Sequence, residues 1–179
     1  MSEGIDLPDL DLPRTAPETL LTPSQRLARL RQAAPQIIAA CADETDAVAL
    51  QATLACLLYQ TLAQANFCGF YRRASATTLA VGPYQGSMGC LRIDFARGVC
   101  GRCARTQEVQ LVPDVHAVRD HIACDGRSRS ELVVPVVRGD ELHAVFDVDS
   151  PYPDAFSPDE AAELLALIRA VFDRPDVRF

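Results

Sequence analysis

The chain has 179 residues, enough for one domain with an extension, and 49% of them are hydrophobic, which is ample for a packed core. All 17 basic residues are arginine, so a Schiff-base lysine, a pyridoxal-phosphate anchor and a Gly-x-x-x-x-Gly-Lys phosphate loop are excluded. A net charge of −7 argues against a surface for nucleic acid or for an anionic membrane, and favours a small neutral or cationic ligand.

The N-terminal segment from Met1 to Leu21 is acidic and contains spaced prolines, unlike a secretory signal or a transit peptide. No window approaches the roughly 18 apolar residues of a membrane span. Seven cysteines without a signal peptide are expected to be mostly reduced thiols. The sequence therefore predicts a soluble cytoplasmic protein.

Residues 1–22 are predicted to form an acidic, proline-containing tail, and residues 23–179 the folded domain. A helical pattern begins at Pro23, and Pro35 is expected to kink or divide it. A second helix, for which Asp43 or Thr45 is the expected cap, carries a broad apolar stripe: Val48, Leu50, Leu54, Leu57, Leu58 and Leu62.

The remaining elements are mostly strands, predicted at residues 67–72, 77–81, 109–112, 132–137 and 142–148. Gly82 and Pro83 are expected to close the second strand, and the glycine-rich stretch to Gly101 to form a mobile loop that leads into a short helix. A tight hairpin at residues 138–140 joins the last two strands, and a capping box at residues 157–160 opens a final helix. This order indicates an α+β fold, with a central antiparallel sheet and helices packed mainly on one face.

Three of the cysteines lie in or beside loop-rich segments: Cys90, Cys100 and Cys124. The others in predicted helices or strands, Cys41, Cys56 and Cys68, read as small buried hydrophobes. Several loop cysteines together favour redox cycling, in which an attacking thiolate becomes a sulfenic acid or a mixed disulfide and a second thiol resolves it.

Zinc binding is the competing use of these cysteines. Cys100 and Cys103 have a Cys-x-x-Cys spacing, and His116, His121 and Cys124 follow. A structural zinc site needs a second close pair of ligands, which the sequence does not supply, so no metal is expected.

Three acids interrupt apolar strand segments. Glu131 begins one segment, and Asp147 and Asp149 lie on one face of the other because strand side chains alternate. An unpaired buried carboxylate is costly, so a cationic partner is expected. Solvation at the strand ends, or pairing with Arg127 or Arg129, is the alternative interpretation.

At these residues the sequence resembles the free methionine-(R)-sulfoxide reductases, catalytic members of the GAF-domain superfamily, over roughly residues 22–172. The resemblance rests on Asn-Phe-Cys-Gly-Phe-Tyr at 66–71, Gly-Pro-Tyr-Gln-Gly at 82–86, Arg-Gly-Val-Cys-Gly at 97–101, Asp-Val-His at 114–116, His-Ile-Ala-Cys-Asp at 121–125, Ser-Glu-Leu-Val-Val-Pro at 130–135 and Asp-Val-Asp-Ser at 147–150. It implies a GAF fold, a reductase that needs no cofactor, and free methionine-(R)-sulfoxide as substrate.

The resemblance also implies roles for the three cysteines. Cys124 matches the family's nucleophile, Cys90 the usual resolving cysteine, and Cys100 a third cysteine that can enter the exchange. Thioredoxin or a similar dithiol would regenerate the enzyme. Because GAF domains often dimerise through their helices, a homodimer is compatible with the resemblance.

The family's substrate-binding positions match aromatic and acidic residues here. Glu131, Asp147 and Asp149 match carboxylates that hold the ammonium group of the free amino acid and assist proton delivery. Phe67 stands where the family usually has a tryptophan in the apolar wall around the substrate methyl group, and Tyr71 supplies further aromatic surface.

Two questions stay open at this point. Cys103 adds a thiol where the family usually has a small residue, and it is either a spectator or a redox partner of Cys100. The neighbours of Cys124 have opposing effects on its pKa, since His121 would lower it and Asp125 would raise it. The alternative from a different functional class is a GAF module that binds a small ligand and regulates a partner.

Overall fold

A computed structural model describes residues 20–119, 122 and 124–179 of the chain. The predicted tail therefore lies almost wholly outside the described residues. The elements follow one another as α1 (Pro23–Ala40), α2 (Ala47–Thr61), β1 (Phe67–Arg73), β2 (Thr78–Gly86), β3 (Arg92–Asp94), α3 (Gly98–Thr106), β4 (Gln110–Val112), a 3-10 turn (Val115–Ala117), β5 (Ser130–Arg138), β6 (Glu141–Ser150) and α4 (Pro158–Phe172).

The six strands form one antiparallel sheet in the order β3-β2-β1-β6-β5-β4. Strand β6 lies between β1 and β5, although it is the last strand in the sequence. Because side chains alternate along a strand, each central strand contributes to both faces of the sheet. Different elements cover the two faces of the sheet.

One face carries the larger core. Helices α2 and α4 pack on it, and α1 packs against both. The strands contribute alternate residues such as Phe70, Leu132 and Phe146, all fully buried. The opposite face is covered by α3 and by loops, over a smaller apolar cluster that includes Tyr71, Val99 and Val133. The expectation of helices mainly on one face is confirmed, and α3 is the exception.

Pro35 does not divide the first helix, which was one of the two outcomes expected from the sequence. It lies inside the continuous α1, on its solvent side, where water can bond the carbonyl group that a proline leaves without a partner. Leu30 and Ile37, on either side of it in sequence, are both buried on the core side. The two halves of α1 therefore pack on the same core.

The cap of α2 is Asp46, and neither Asp43 nor Thr45 as predicted. The Asp46 carboxylate accepts hydrogen bonds from the N–H groups of Val48 and Ala49, at 2.8 and 3.0 Å. The backbone of Thr45 is already paired, since its carbonyl accepts a hydrogen bond from the N–H of Arg178 in the C-terminal segment. A long-range contact therefore fixes where α2 begins.

Strand β2 continues past Gly82 and Pro83, which were expected to end it. The pairing of β1 with β2 is irregular here, with Gly69 opposite Tyr84 but Tyr71 opposite Val81. This bulge takes up the extra residue, so a proline without an N–H is accommodated. The glycine-rich stretch that follows contains the unpredicted short strand β3 before it reaches the predicted short helix, α3.

The last hairpin and the final helix are as predicted. Strands β5 and β6 pair antiparallel through a turn in which Gly139 has a φ of +59°. The Ser157 hydroxyl accepts a hydrogen bond from the Glu160 N–H, and the Glu160 carboxylate accepts one from the Ser157 N–H. Within the described part of the chain, no helix is both long and apolar enough to span a bilayer.

Candidate active site

Three acidic residues form a patch on the α3 side of the sheet. In the antiparallel register Asp149 stands opposite both Phe67 on β1 and Glu131 on β5. Asp147, two residues earlier on β6, stands opposite Gly69 and Val133 and points to the same face. The strand pairing thus brings together the three acids that the sequence singled out.

The acidic patch is one wall of a cavity that is partly open to solvent. Seven of the eight residues proposed from the sequence line the cavity, and the eighth, Cys90, is bonded to one of them. Its lining is Phe67, Tyr71, Ser87, Met88, Gly89, Ile93, Gly98, Val99, Cys100, Ile122, Cys124, Asp125, Ser128, Glu131, Asp147 and Asp149, with Cys90 bonded to Cys124. Among these described lining residues there is no arginine or histidine, so the cavity suits a cationic group.

Burial and mutual repulsion change the protonation of the acids. Burial, then the charges of Asp149 and Glu131, raise the pKa of Asp147 well above its usual value. Burial also raises the pKa of Asp149, with Glu131 and Asp125 adding to the effect, while a hydrogen bond from Ser128 opposes it. A raised pKa favours the protonated carboxyl group, which can donate its proton to a ligand.

Cys100 projects from α3 towards the acids. Its Sγ lies 3.8 Å from Glu131 Oε1, and the residue is only 4% exposed. Burial, followed by the charges of Asp147 and Glu131, raises the pKa of this thiol well above its usual value. Cys100 is therefore a protonated thiol in this environment, and a weak nucleophile.

An aromatic wall faces the acids. Phe67 is buried and stacks with Tyr71 at 6.0 Å and with Tyr84 at 5.5 Å between ring centroids. The hydroxyl of the buried Tyr71 accepts a hydrogen bond from the backbone N–H of Cys90. The aromatic pair thereby connects the sheet to the loop that carries Cys90.

Cys90 and Cys124 are joined by a disulfide at the cavity. Both residues are partly exposed, in contrast to Cys100 and Cys103, which are buried free thiols. The structure therefore joins the two cysteines that the family resemblance assigns as nucleophile and resolving thiol. His121, the other neighbour considered for Cys124, lies outside the described residues.

Asp125 anchors the segment that carries Cys124. Its carboxylate accepts hydrogen bonds from Arg127, at 2.8 Å, and from the Asn66 side chain, at 3.0 Å. The Arg127 guanidinium is the main reason that the pKa of Asp125 lies far below its usual value. Asn66 also donates to Ser128. Sequence reasoning gave no role to Asn66 or Ser128, although Asn66 begins one of the motifs that carry the resemblance.

The two arginines considered as alternative partners of the acids, Arg127 and Arg129, contact other carboxylates. Arg127 binds Asp125, and Arg129 lies 3.9 Å from Asp114. Glu131, Asp147 and Asp149 instead line the cavity. A solvated strand end is equally inconsistent with Glu131 and Asp147, which are 5% and 4% exposed.

The Cys-x-x-Cys pair does not form the zinc site considered from the sequence. Cys103 is fully buried in the apolar cluster beneath α3, and Cys124 is in the disulfide. Of the predicted inert cysteines, Cys41 and Cys68 are buried and Cys56 is partly exposed. Burial raises the pKa of Cys41 to about 11, as expected for an unreactive thiol.

Comparisons with known proteins identify the family of this chain. The GAF domain model matches residues 42–171. The free methionine-R-sulfoxide reductase of Escherichia coli is 39% identical over 127 residues, which cover 71% of this chain and 76% of that protein. The Saccharomyces cerevisiae protein of the same name is 45% identical over 95 residues, which cover 51% of this chain and 53% of that one.

A solved structure extends the likeness to three dimensions. The free methionine-R-sulfoxide reductase from Neisseria meningitidis, in complex with its substrate, has a TM-score of 0.79 and 37% sequence identity, covering 85% of this chain and 91% of that chain. The chain therefore belongs to the free methionine-R-sulfoxide reductase family of GAF-domain proteins.

Proposed function

We propose that this protein reduces free methionine-(R)-sulfoxide to methionine, with Cys124 as nucleophile and Cys90 as resolving thiol. The observation that carries the proposal is the Cys90–Cys124 disulfide beside a cavity lined by three carboxylates and an aromatic wall. A redox-active thiol pair, a site for a cation and a site for an apolar methyl group are the three requirements of this substrate. Membership of a reductase family supports the same assignment.

The first step transfers one oxygen atom. The Cys124 thiolate attacks the sulfoxide sulfur, the sulfur–oxygen bond of the substrate breaks, and the oxygen becomes bonded to Cys124 as a sulfenic acid. The substrate sulfur gains two electrons and leaves as methionine, while the Cys124 sulfur loses two. Asp147, whose pKa burial raises well above its usual value, would donate a proton to the sulfoxide oxygen.

The second step forms the disulfide. The Cys90 thiolate attacks the Cys124 sulfur, the sulfur–oxygen bond breaks, and the oxygen leaves as water after taking up a proton. An external dithiol then reduces the disulfide and is itself oxidised. We propose thioredoxin for this role, in the reducing environment of the cytoplasm. A homodimer stays a prediction.

Substrate recognition is assigned to the walls of the cavity. Glu131 and Asp149, in line across β5 and β6, would bind the α-ammonium group, which a methionine residue inside a peptide chain lacks. Phe67 and Tyr71 would contact the methyl group and the side chain. This arrangement accounts for a preference for the free amino acid.

Thiol variants test the two roles separately. Without added reductant, wild-type protein that has been reduced beforehand should release one equivalent of methionine and lose two thiols. Cys90→Ser should also release one equivalent but accumulate a sulfenic acid, detectable by mass spectrometry after trapping with dimedone. Cys124→Ser should release none. Equal release by all three proteins would contradict the assignment, and Cys56→Ser, at a partly exposed thiol outside the site, is the matched control.

A further inference from the structure

The cavity combines negative charge with a free thiol. Cys100 remains reduced while Cys90 and Cys124 are paired, and it faces Glu131 and Asp147. The proposed reaction uses the acids for the substrate but gives this buried thiol no necessary step. The three side chains come from three separate elements, α3, β5 and β6, which the fold brings to one point.

The spacing of these side chains is that of a metal site. One ligand atom from each of Cys100, Glu131 and Asp147 lies within 4.8 Å of the others, and the Cys100 Sγ to Glu131 Oε1 distance is 3.8 Å. Zinc binds sulfur at about 2.3 Å and carboxylate oxygen at about 2.0–2.2 Å, so tetrahedral ligands lie roughly 3.5 Å apart. Small side-chain rotations would bring all three atoms to this separation.

Asp147 supplies an independent indication that a ligand belongs here. The residue is 4% exposed, and its buried Oδ1 atom has no hydrogen-bond partner among the described residues. Buried carboxylate oxygens are normally satisfied by a donor or a cation. The same carboxyl group belongs to the cluster with Cys100 and Glu131, where a cation would satisfy it.

We propose that Cys100, Glu131 and Asp147 bind a thiophilic divalent cation, of which Zn²⁺ is the model, and that the bound ion blocks the substrate cavity. A fourth coordination position is open to water. A thiolate ligand and a set of only three protein donors select against Mg²⁺ and Ca²⁺, which need six or more oxygen ligands. The second part of the proposal rests on the proposed function, because the ion occupies the acids assigned to the substrate.

This site differs from the one suggested by the Cys-x-x-Cys spacing. Cys103 is fully buried in the apolar cluster with Val99 and Ala104, and it is not part of the group of converging ligand atoms. Cys103 is therefore the matched control for Cys100, because it lies on the same helix and is equally a free, buried thiol.

Binding is best measured on the protein with the Cys90–Cys124 disulfide intact. This form removes both of those thiols as zinc ligands and leaves five free cysteines. Calorimetric titration with Zn²⁺ should give one site in the wild type. Cys100→Ser and Asp147→Asn should each bind at least about tenfold more weakly, whereas Cys103→Ser should bind as the wild type does. Co²⁺ should give a thiolate charge-transfer absorption that only Cys100→Ser loses.

Inhibition is measured separately on the reduced enzyme. Zn²⁺ should raise the apparent KM for methionine sulfoxide without lowering kcat, and a large excess of Mg²⁺ should not. If the protein has no reductase activity, the binding titration still decides the metal site by itself. Thermal unfolding of each variant verifies that it is folded.

Three results would overturn the proposal: no Zn²⁺ binding by the disulfide form, unchanged binding in Cys100→Ser, or an equal loss in Cys103→Ser. The last result would move the site to the Cys-x-x-Cys pair. Binding that is intact but has no effect on the apparent KM of an active enzyme would refute the blocking of the cavity.

Discussion

The substitution Gly89→Ala, which adds a single methyl group, should displace the loop that carries Cys90. It precedes Cys90 and lies directly on the aromatic wall. A Cβ atom at this residue would lie 2.6 Å from the Tyr71 hydroxyl and 3.1 Å from Phe67 Cε2. The first distance is roughly 0.8 Å shorter than an ordinary van der Waals contact.

In Gly89→Ala we expect the loop that carries Cys90 to move, and the strand that carries Tyr71 to stay in place. Tyr71 is 1% exposed on a central strand, and its hydroxyl accepts the hydrogen bond from the Cys90 N–H. The methyl group would lift the loop and weaken this hydrogen bond, at a cost of about 1–3 kcal/mol in overpacking. A displacement approaching 1 Å at a reacting group costs up to about 100-fold in rate, so disulfide formation should slow by roughly 10–100-fold.

Rapid-quench measurements separate the two steps in Gly89→Ala. Methionine release in the first turnover should stay near the wild-type rate, while the loss of thiols as the disulfide forms should lag behind it. Gly126→Ala is the matched control, because Gly126 lies close to the other cysteine but a Cβ there would meet no atom within 4 Å. Disulfide formation at the wild-type rate in Gly89→Ala would show that the added methyl group does not displace the Cys90 loop. Equal slowing in Gly126→Ala would show that the effect is not specific to Gly89.

Three further predictions follow from buried charges. The raised pKa of Asp147 means that the folded state binds more protons than the unfolded state above about pH 4, so this residue's contribution to stability should fall as pH rises, by up to about 1.4 kcal/mol per pH unit. In urea unfolding, Asp147→Asn should therefore be more stable than the wild type at pH 7 but not at pH 4. An equal difference in stability at the two pH values would contradict this. Glu131→Gln should raise the KM for free methionine sulfoxide at least about tenfold, because one charge that faces the ammonium group is lost, and steady-state kinetics with an unchanged KM would move that role to Asp149. Glu160→Gln should destabilise the fold by about 3–5 kcal/mol in urea unfolding, because it breaks a buried two-bond pair with Arg26, yet leave the activity of the folded protein intact; a loss below 1 kcal/mol would refute that estimate.

Local patterns predicted most of the fold because local physics determines those elements. The capping box at Ser157 and the glycine at the β5–β6 turn each satisfy their own backbone requirements, and both were predicted correctly. The predictions that were wrong concern positions where contacts between residues far apart in the sequence determine the structure. Asp46 became the cap of α2 because Arg178 pairs beside it, and β2 passes through Pro83 because a bulge against β1 absorbs it.

The candidate site shows the same division. The resemblance identified the cysteines and the acids, and strand alternation placed Asp147 and Asp149 on one face. The closeness of Cys100 to Glu131 depends on how α3 crosses the sheet, which no local pattern encodes. Likewise, Asn66 binds Asp125 across 59 residues of sequence, so its role required the folded structure.

The most direct test of the central claim is the release of methionine from the separated R and S epimers of free methionine sulfoxide. Wild-type protein and Cys124→Ser would be assayed with dithiothreitol, which removes any need for a protein reductant. Turnover of the R epimer alone is expected in the wild type, and its loss is expected in Cys124→Ser. Turnover of neither epimer by the wild type would contradict the proposed reductase and favour a GAF module that binds a small ligand.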